Sequence, residues 1–364
     1  MKSDKINLNQ MTNLMVLFIF GGTVLANMGA QAGQNVWIVY LIGSFLGTLM
    51  YLMFYRVSAL HGHAGLLQIF INCFGQLAGR LFMIIMSCFW LFRNLVMGNS
   101  LSTMAESLLM INASHRLVIA ILLVAVVYAV HSGISVIARG AEIFLLLLVF
   151  FLIPFFLSTI NPTIFTATNL LPILSEGIGG ILLPSLRLAM FPFSETFIFL
   201  MIFPYVQNQH HKKILKRGII AIWIAAILLM GIEVINVAIL GINLAQKLQF
   251  PFYNAMQLSE IPGLIDRLDP LAAVIIIFPG YYKTVLFLYV AVLGLSGLSK
   301  KVKFRTVLTV IWAIIFIMAP YSNFFNSYFL LTILPLRLLP VFSFFVPMVL
   351  WFISEYKHYR RGTI

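Results

Sequence analysis

The sequence predicts an all-α integral membrane protein of ten transmembrane helices, built as a five-plus-five inverted repeat in which helices one and six are broken. Three observations carry this expectation. Hydrophobic residues make up 62% of the 364-residue chain, charged residues only 9%, and the mean hydropathy is +1.03. A soluble domain averages about 25% charged residues. Apolar runs long enough to cross a bilayer, about 18 residues or more, recur along the whole chain. Finally, two of these runs hold residues that a lipid-facing helix does not tolerate: Phe20-Gly21-Gly22-Thr23 in the first and Met190-Phe191-Pro192-Phe193-Ser194-Glu195-Thr196 in the sixth.

Span one, Met11–Met28, follows the polar stretch Met1–Gln10 and shows no small-residue cleavage site. It therefore reads as a retained span rather than a signal peptide. Its paired glycines weaken the helix and permit close backbone approach. Spans two to five are Val36–Val57, Leu81–Leu108, Leu117–Val130 and Ala141–Ile160. The third is long, hence tilted, and carries Arg93 near its middle on a stripe with Met97, Ser100 and Met104. Span six, Pro184–Tyr205, holds the decisive break. Pro192 removes a backbone donor and clashes with the preceding turn. The Glu195 carboxylate would cost about 2.5–3.5 kcal/mol at the bilayer centre. A discontinuous helix beside a protein-lined, partly wet cavity accommodates both. Spans seven to ten are Ile214–Leu240 with Glu233, Leu271–Leu298 with Lys283, Val302–Pro320 and Pro335–Ile353.

The spans divide into repeats 11–160 and 184–353 within a single domain, 1–364. Interrupted helices at corresponding positions of two halves point to an inverted-repeat transporter fold. The third span of each half adds a match, since both are long and each carries one central cation, Arg93 or Lys283. The longest polar connections are Asn161–Leu183 and Gly241–Pro270. The second, with Phe250-Pro251-Phe252 ahead of Glu260, Asp266, Arg267 and Asp269, fits a solvated connection, a short interfacial helix or a lid.

Charge sets the orientation. With ten spans, one side collects Lys2, Lys5, Arg56, Arg80, Arg139, Lys212, Lys213, Lys216, Arg217, Lys300, Lys301, Lys303, Arg305, Lys357, Arg360 and Arg361; the other has Arg116, Lys247, Arg267 and Arg337. Both termini are therefore expected in the cytoplasm. The net charge of +13 belongs to runs such as His210–Arg217 and Lys300–Arg305, which flank spans and face anionic headgroups rather than nucleic acid.

The expected ligand site joins the two breaks. Half-helix amides and carbonyls there can meet the carboxylate and the ammonium of a small ligand. Gly21, Gly22 and Thr23 would contribute from span one, and Phe191, Phe193, Ser194 and Glu195 from span six. Met97, Gly98, Tyr281 and Thr284 adjoin the intramembrane charges and complete a lining suited to a small amphipathic molecule. Glu195 and Lys283 each need a partner. They pair across the cavity, or the Lys283 ammonium stands in for a coupling ion held by span-one carbonyls; the sequence leaves both open. Arg93 and Glu233 rank behind them, and Glu233 has any of the cations to choose from.

Other patterns carry no chemistry. Cys73 and Cys88 lack disulfide or metal spacing, and His61-Gly62-His63 lacks a third ligand. Glu176-Gly177-Ile178-Gly179-Gly180 lacks the strand–helix context of a dinucleotide loop, and no hydrolase or metalloprotease motif occurs. No cofactor is expected, and nothing points to an enzyme.

The run Phe191-Pro192-Phe193-Ser194-Glu195 resembles the Phe-Pro-Phe-Gly/Ser-Glu signature of the B subunit of GerA-type spore germinant receptors. The resemblance continues in Ala32-Gly33-Gln34 with Trp37, in Gly133-Ile134 through Ala138-Arg139 with Glu142, in Asn169-Leu170-Leu171-Pro172, and in Lys283 with Tyr289 and Leu293-Gly294-Leu295. It implies the LeuT-like fold of the amino acid–polyamine–organocation superfamily. It also implies a nutrient-sensing role in the spore inner membrane beside an A subunit and a C-subunit lipoprotein. The alternative within the same fold is a proton-coupled amino-acid permease.

Overall fold

A computed structural model of the chain describes residues 5–26, 29–108, 113–159, 161, 164–175, 177–207, 211–259, 268–318 and 338–362. The helices are α1 (Leu8–Phe20), α2 (Thr23–Ala26), α3 (Val36–Leu60), α4 (Leu66–Phe74), α5 (Gln76–Leu108), α6 (His115–Ser132) and α7 (Ile134–Ser158). They continue with α8 (Gly179–Met190), α9 (His211–Lys247), α10 (Pro251–Leu258), α11 (Asp269–Gly297), α12 (Phe304–Met318) and α13 (Val346–Gly362). A 3₁₀ segment, Phe193–Met201, follows α8.

Among the described residues, eight stretches are long and apolar enough to cross a membrane, from Leu8–Leu25 to Pro270–Gly297, and they match the first eight expected spans. The ninth, α12, has 15 described residues. The ends of several expected elements lie outside the described residues: Asn27 and Met28, Ile160, Pro320, Pro335, Arg337 and the loop residues His210, Glu260, Asp266 and Arg267. Among the described residues the structure thus gives eight full-length stretches, and the ninth and tenth expected spans are described only in part, so the count of ten is not established.

Two short helices lie outside the expected spans. Helix α4 has only nine residues, too few for a span, yet Leu66, Ile69, Phe70 and Cys73 form its buried face. That spacing is the amphipathic 3.6-residue period, which a search for long apolar runs overlooks. Helix α10 begins on Pro251, a favourable first-turn position because the missing N–H would be unpaired there anyway. It supplies the short helix that was one reading of the Gly241–Pro270 connection.

Helix α1 is the axis of the molecule. Leu14 through Phe20 are at most 1% exposed, although every one of them is apolar or aromatic and would be welcome in lipid. Around it pack α7, α9, α11 and the Phe193–Met201 segment. Helices α6 and α7 lie at the rim and expose rows such as Leu117, Ile121 and Val124, or Ile143, Leu146 and Phe150. Such rows are the lipid-facing surface expected of membrane helices, since lipid tails are as apolar as leucine. Helices α5 and α11, the third spans of the two halves, lie against each other along their length. Gly280 admits Leu101 and Met97 there, and Gly294 admits Met83 and Ser87.

The structure sorts the connections onto two ends. At one end, Ile6 N–H donates to Tyr205 O (2.9 Å) and Gln207 N–H to Ile6 O (2.7 Å), tying the first residues to the end of span six. Arg56 pairs with Glu355 at the same end, and Lys357 Nζ donates to the Asn72 and Cys73 carbonyls at 2.8 and 3.0 Å. At the opposite end, Gln34 Nε2 donates to Pro172 O (3.0 Å) and Leu174 N–H to Asn35 Oδ1 (2.8 Å). Lys5, Arg56 and Lys357 thus share an end, the grouping that the distribution of basic residues predicts.

Candidate functional site

Both expected breaks are present. In span one, Gly21 N–H still reaches Leu17 O at 2.8 Å, but its ψ of 125° turns the chain out of the helix. Gly22 follows at φ +81°, a conformation that costs an L-residue about 1–2 kcal/mol. The helix restarts at Thr23, whose buried Oγ1 bridges back across the break to Ile19 O at 2.7 Å. A side chain at Gly21 would strike the Pro279 carbonyl, and one at Gly22 would stand 2.8 Å from Met97 Sδ. The glycines therefore give both the turn and the close approach of α5 and α11.

In span six, α8 ends at Phe191, which is extended at φ −141°, ψ 119°, and a cis peptide leads to Pro192. Helical bonding does not return in α form. Phe193–Met201 is nine residues of 3₁₀ helix, whereas such segments rarely exceed about four. Ser194 Oγ satisfies the Met190 carbonyl at 2.6 Å, and Thr196 Oγ1 the Phe193 carbonyl at 2.7 Å. Hydroxyl groups thus replace the amide donors that the proline and the tight winding remove.

Glu195 stands just past this second break, and it has two cationic partners. Arg93 on α5 approaches Oε1 through Nε at 2.9 Å and Nη2 at 2.6 Å. Lys283 on α11 brings Nζ to 2.6 Å from Oε2. That second contact is a close ion pair, and the ammonium has three protons, so it can serve a further acceptor beside Glu195. Exposure is 3% for Arg93, 4% for Glu195 and 0% for Lys283. Charges so far from water persist only when they are mutually compensated.

Aromatic faces complete the enclosure. Lys283 Nζ lies 4.5 Å from the centre of the Phe191 ring and 4.9 Å from that of Phe18. Arg93 Cζ is 5.5 Å from the Phe191 ring and 5.3 Å from the Phe287 ring. In a desolvated setting such contacts are worth about 2 kcal/mol. Phe18 lies just before the first break and Phe191 at the second, so Lys283 spans the gap between them. Asn94, next to Arg93, donates Nδ2 to the Thr284 carbonyl at 2.8 Å and locks α5 to α11 beside the charges.

The expected lining residues divide into two groups. Gly21, Gly22, Thr23, Met97, Phe191, Ser194, Glu195, Lys283 and Thr284 gather around the breaks. Thr284 is fully buried, with Oγ1 bonded to Gly280 O at 2.9 Å. The others turn elsewhere. Gly98 faces Leu122 of α6. Phe193 packs on Gly47 of α3. Tyr281 OH reaches the Ala125 carbonyl of α6 at 3.0 Å. Glu233 forms no ion pair with Arg93 or Lys283. Arg93, placed second by the sequence reading, is as close to Glu195 as Lys283 is. Phe18, Phe287 and Asn94 were not singled out; an asparagine inside a long apolar run beside an arginine was the available signal.

The profile of a family described as "Spore germination protein" matches residues 5–326. Spore germination protein KB of Bacillus subtilis (strain 168) is 27% identical over 376 aligned residues, which cover 99% of this chain and 97% of that protein. Among solved structures, Mhp1, a nucleobase-cation-symport-1 family transporter in a closed conformation with bromovinylhydantoin bound, superposes with a TM-score of 0.66 at 15% identity, over 100% of this chain and 82% of its own. A Na⁺-coupled sialic acid symporter in a substrate-bound outward-open state gives a TM-score of 0.66 at 13% identity, covering 94% and 78%. The manganese transporter of Eremococcus coleocola gives 0.61 at 15% identity, covering 95% and 85%. At these identities the structural matches speak for the fold, which is that of LeuT-like transporters.

Proposed function

The chain belongs to the spore germination protein family, and from that premise we propose that it is the membrane subunit of a germinant receptor that holds a small amino acid, or a similar nutrient, where helices one and six are broken. The relative named for spore germination and the transporter-like fold support this reading. The observation that carries it is the Arg93–Glu195–Lys283 cluster, set between the two breaks and shielded by Phe18, Phe191 and Phe287.

The cluster also revises how the ligand is held. Glu195 shares its oxygens with two cations, so it is not a free partner for a ligand ammonium. Helix α2 has a single turn, and its aligned peptide dipoles are few, so its amides attract an anion weakly. Two basic groups face one acidic group. A ligand carboxylate therefore competes with Glu195 for Lys283, and its ammonium falls to carbonyls freed at Gly21 and Gly22. Entry of the ligand then loosens the bond between span eight and span six, and movement of spans one and six passes the signal to A-type and C-type subunits. In this reading Lys283 holds the position of a coupling ion. The protein sits in the spore inner membrane with both termini in the cytoplasm, and repeats 11–160 and 184–353 form its two halves.

A second reading, a proton-coupled amino-acid permease, draws on the transporter fold of the structural neighbours. The two diverge once the ligand is bound. A receptor ligand must favour one state, and moving a population from 1:99 to 99:1 takes about 5.5 kcal/mol of differential affinity. The test uses the purified full chain in lipid vesicles with a panel of labelled amino acids. Saturable binding that is lost in Lys283→Met, with no accumulation inside the vesicles, is the expected result. Concentrative uptake by this chain alone would make the permease reading correct.

A further inference from the structure

A second buried polar cluster shares no residue with the Glu195 site. It lies where α9 meets α3, on the far side of the first break from α1. Glu233 and Asn236 stand one turn apart on α9, and Tyr40 faces them from α3. Their exposures are 2%, 1% and 1%. Asn236 supplies one side-chain hydrogen bond to the Glu233 carboxylate. Glu233 Oε2, Asn236 Oδ1 and the Tyr40 hydroxyl are all buried without a hydrogen-bond partner among the described residues. Glu233 has no ion-pair partner there either. Gly29 marks the same spot: the point where its Cβ would stand is 2.9 Å from Tyr40 Cε2 and 3.2 Å from Glu233 Cγ. The carboxylate, the phenol and the backbone that follows span one therefore meet at one place.

An unpaired buried carboxylate is strongly unfavourable, and each unmatched oxygen adds its own desolvation cost. The three open atoms have a common character. All are oxygens, and among the described residues no unpaired buried nitrogen is placed beside them. Such a set asks for a positive guest with affinity for hard oxygen ligands. One carboxylate balances one unit of charge, so a divalent ion would leave the pocket with an excess. Backbone carbonyls next to a broken helix are the usual additional ligands for a monovalent cation in this kind of fold.

We propose that Glu233, Asn236 and Tyr40 form a binding site for a monovalent alkali cation, sodium or potassium, that joins α3 and α9 beside Gly29. The site is independent of the nutrient held at Glu195. Its occupation stabilises the folded chain by mass action, because the unfolded chain has no such arrangement of oxygens.

The experiment monitors thermal unfolding of the full chain in detergent with chloride salts of lithium, sodium, potassium and N-methylglucamine at constant ionic strength. The wild type should show a saturable rise in Tm with sodium or potassium that N-methylglucamine does not give. Glu233→Gln keeps the shape and removes the charge, so it should fold with a Tm in N-methylglucamine at least equal to that of the wild type and lose the rise. Tyr40→Phe should raise the half-saturating salt concentration severalfold, which tests the site even if Glu233→Gln does not fold. Glu195→Gln should keep the rise, separating this site from the nutrient site. A wild-type Tm that is the same in all four salts would overturn the proposal. So would a rise that survives Glu233→Gln, or a Tm that depends on pH through Glu233 and on no cation.

Discussion

Replacing Glu195 by Gln leaves Arg93 and Lys283 buried without their shared counter-charge, and removing one partner of a buried pair costs about 3–5 kcal/mol. Lys283→Met is milder, because the Arg93–Glu195 hydrogen bond remains. Arg93→Met falls between, since it deprives Oε1 of its contacts but keeps the Lys283 pair. Denaturant titration in detergent should rank the losses in that order, and the Arg93→Met/Lys283→Met double variant should depart from additivity; strict additivity would mean that Glu195 is not shared. Gly22→Ala should cost about 1–2 kcal/mol from its left-handed backbone alone, read by the same titration, with the Met97 sulfur as a further obstacle. Glu195 and Lys283 were legible in the sequence because a charge inside an apolar run needs a reason. The place of Arg93 was not, since three-way pairing depends on how α5 is rotated about its axis. Phe18 and Phe287 gave no signal in a chain that is 14% aromatic.

At the level of elements, the helix breaks could be read from Gly21–Gly22 and Pro192 because both act locally, through backbone freedom and a missing donor. The winding after the break could not be read, since Phe193–Met201 has the composition of any apolar helix and its 3₁₀ form is imposed by what surrounds it. The docking of α13 was equally hidden, because it rests on pairs distant in sequence. Arg56 Nε donates to Glu355 Oε1 at 2.7 Å, and His61 Nε2 meets Ser354 Oγ at 2.9 Å. The Arg56 hydrogen bond holds the Glu355 carboxyl below its ordinary value. A carboxylate whose folded-state pKa is depressed adds stability above its unfolded pKa, about 4.3 for glutamate, and loses it as pH falls through the lower folded value. The pair is exposed, so its effect is small and local. Hydrogen exchange along Val346–Gly362 should speed up as pH falls below about 4 relative to the intrinsic rate, and Glu355→Gln should remove that dependence.

For the whole molecule, the grouping of Lys5, Arg56 and Lys357 at one end was legible from charge. These residues meet there through backbone and side-chain bonds that the basic-residue rule knows nothing about. Orientation in the membrane is checked by labelling in a background without Cys73 and Cys88. Thr168→Cys, exposed at the opposite end, should react with an impermeant maleimide from outside intact cells, and Lys301→Cys only after permeabilisation. The reverse pattern would invert the molecule. The second cluster at Glu233 was not legible, because the oxygens that define it come from separate helices and only the fold brings them together.

The bond between the first residues and the end of span six has a mechanical meaning. It is made by main-chain atoms, Ile6 with Tyr205 and Gln207, and so does not depend on which side chains stand there. Residues before α1 and the end of the broken helix six are therefore spliced together, and the same segment leads back to the Glu195 break. A force or a binding partner acting on that end of the chain would be carried along span six toward the Glu195 break, and a spectroscopic probe placed at Lys5 should report a change there.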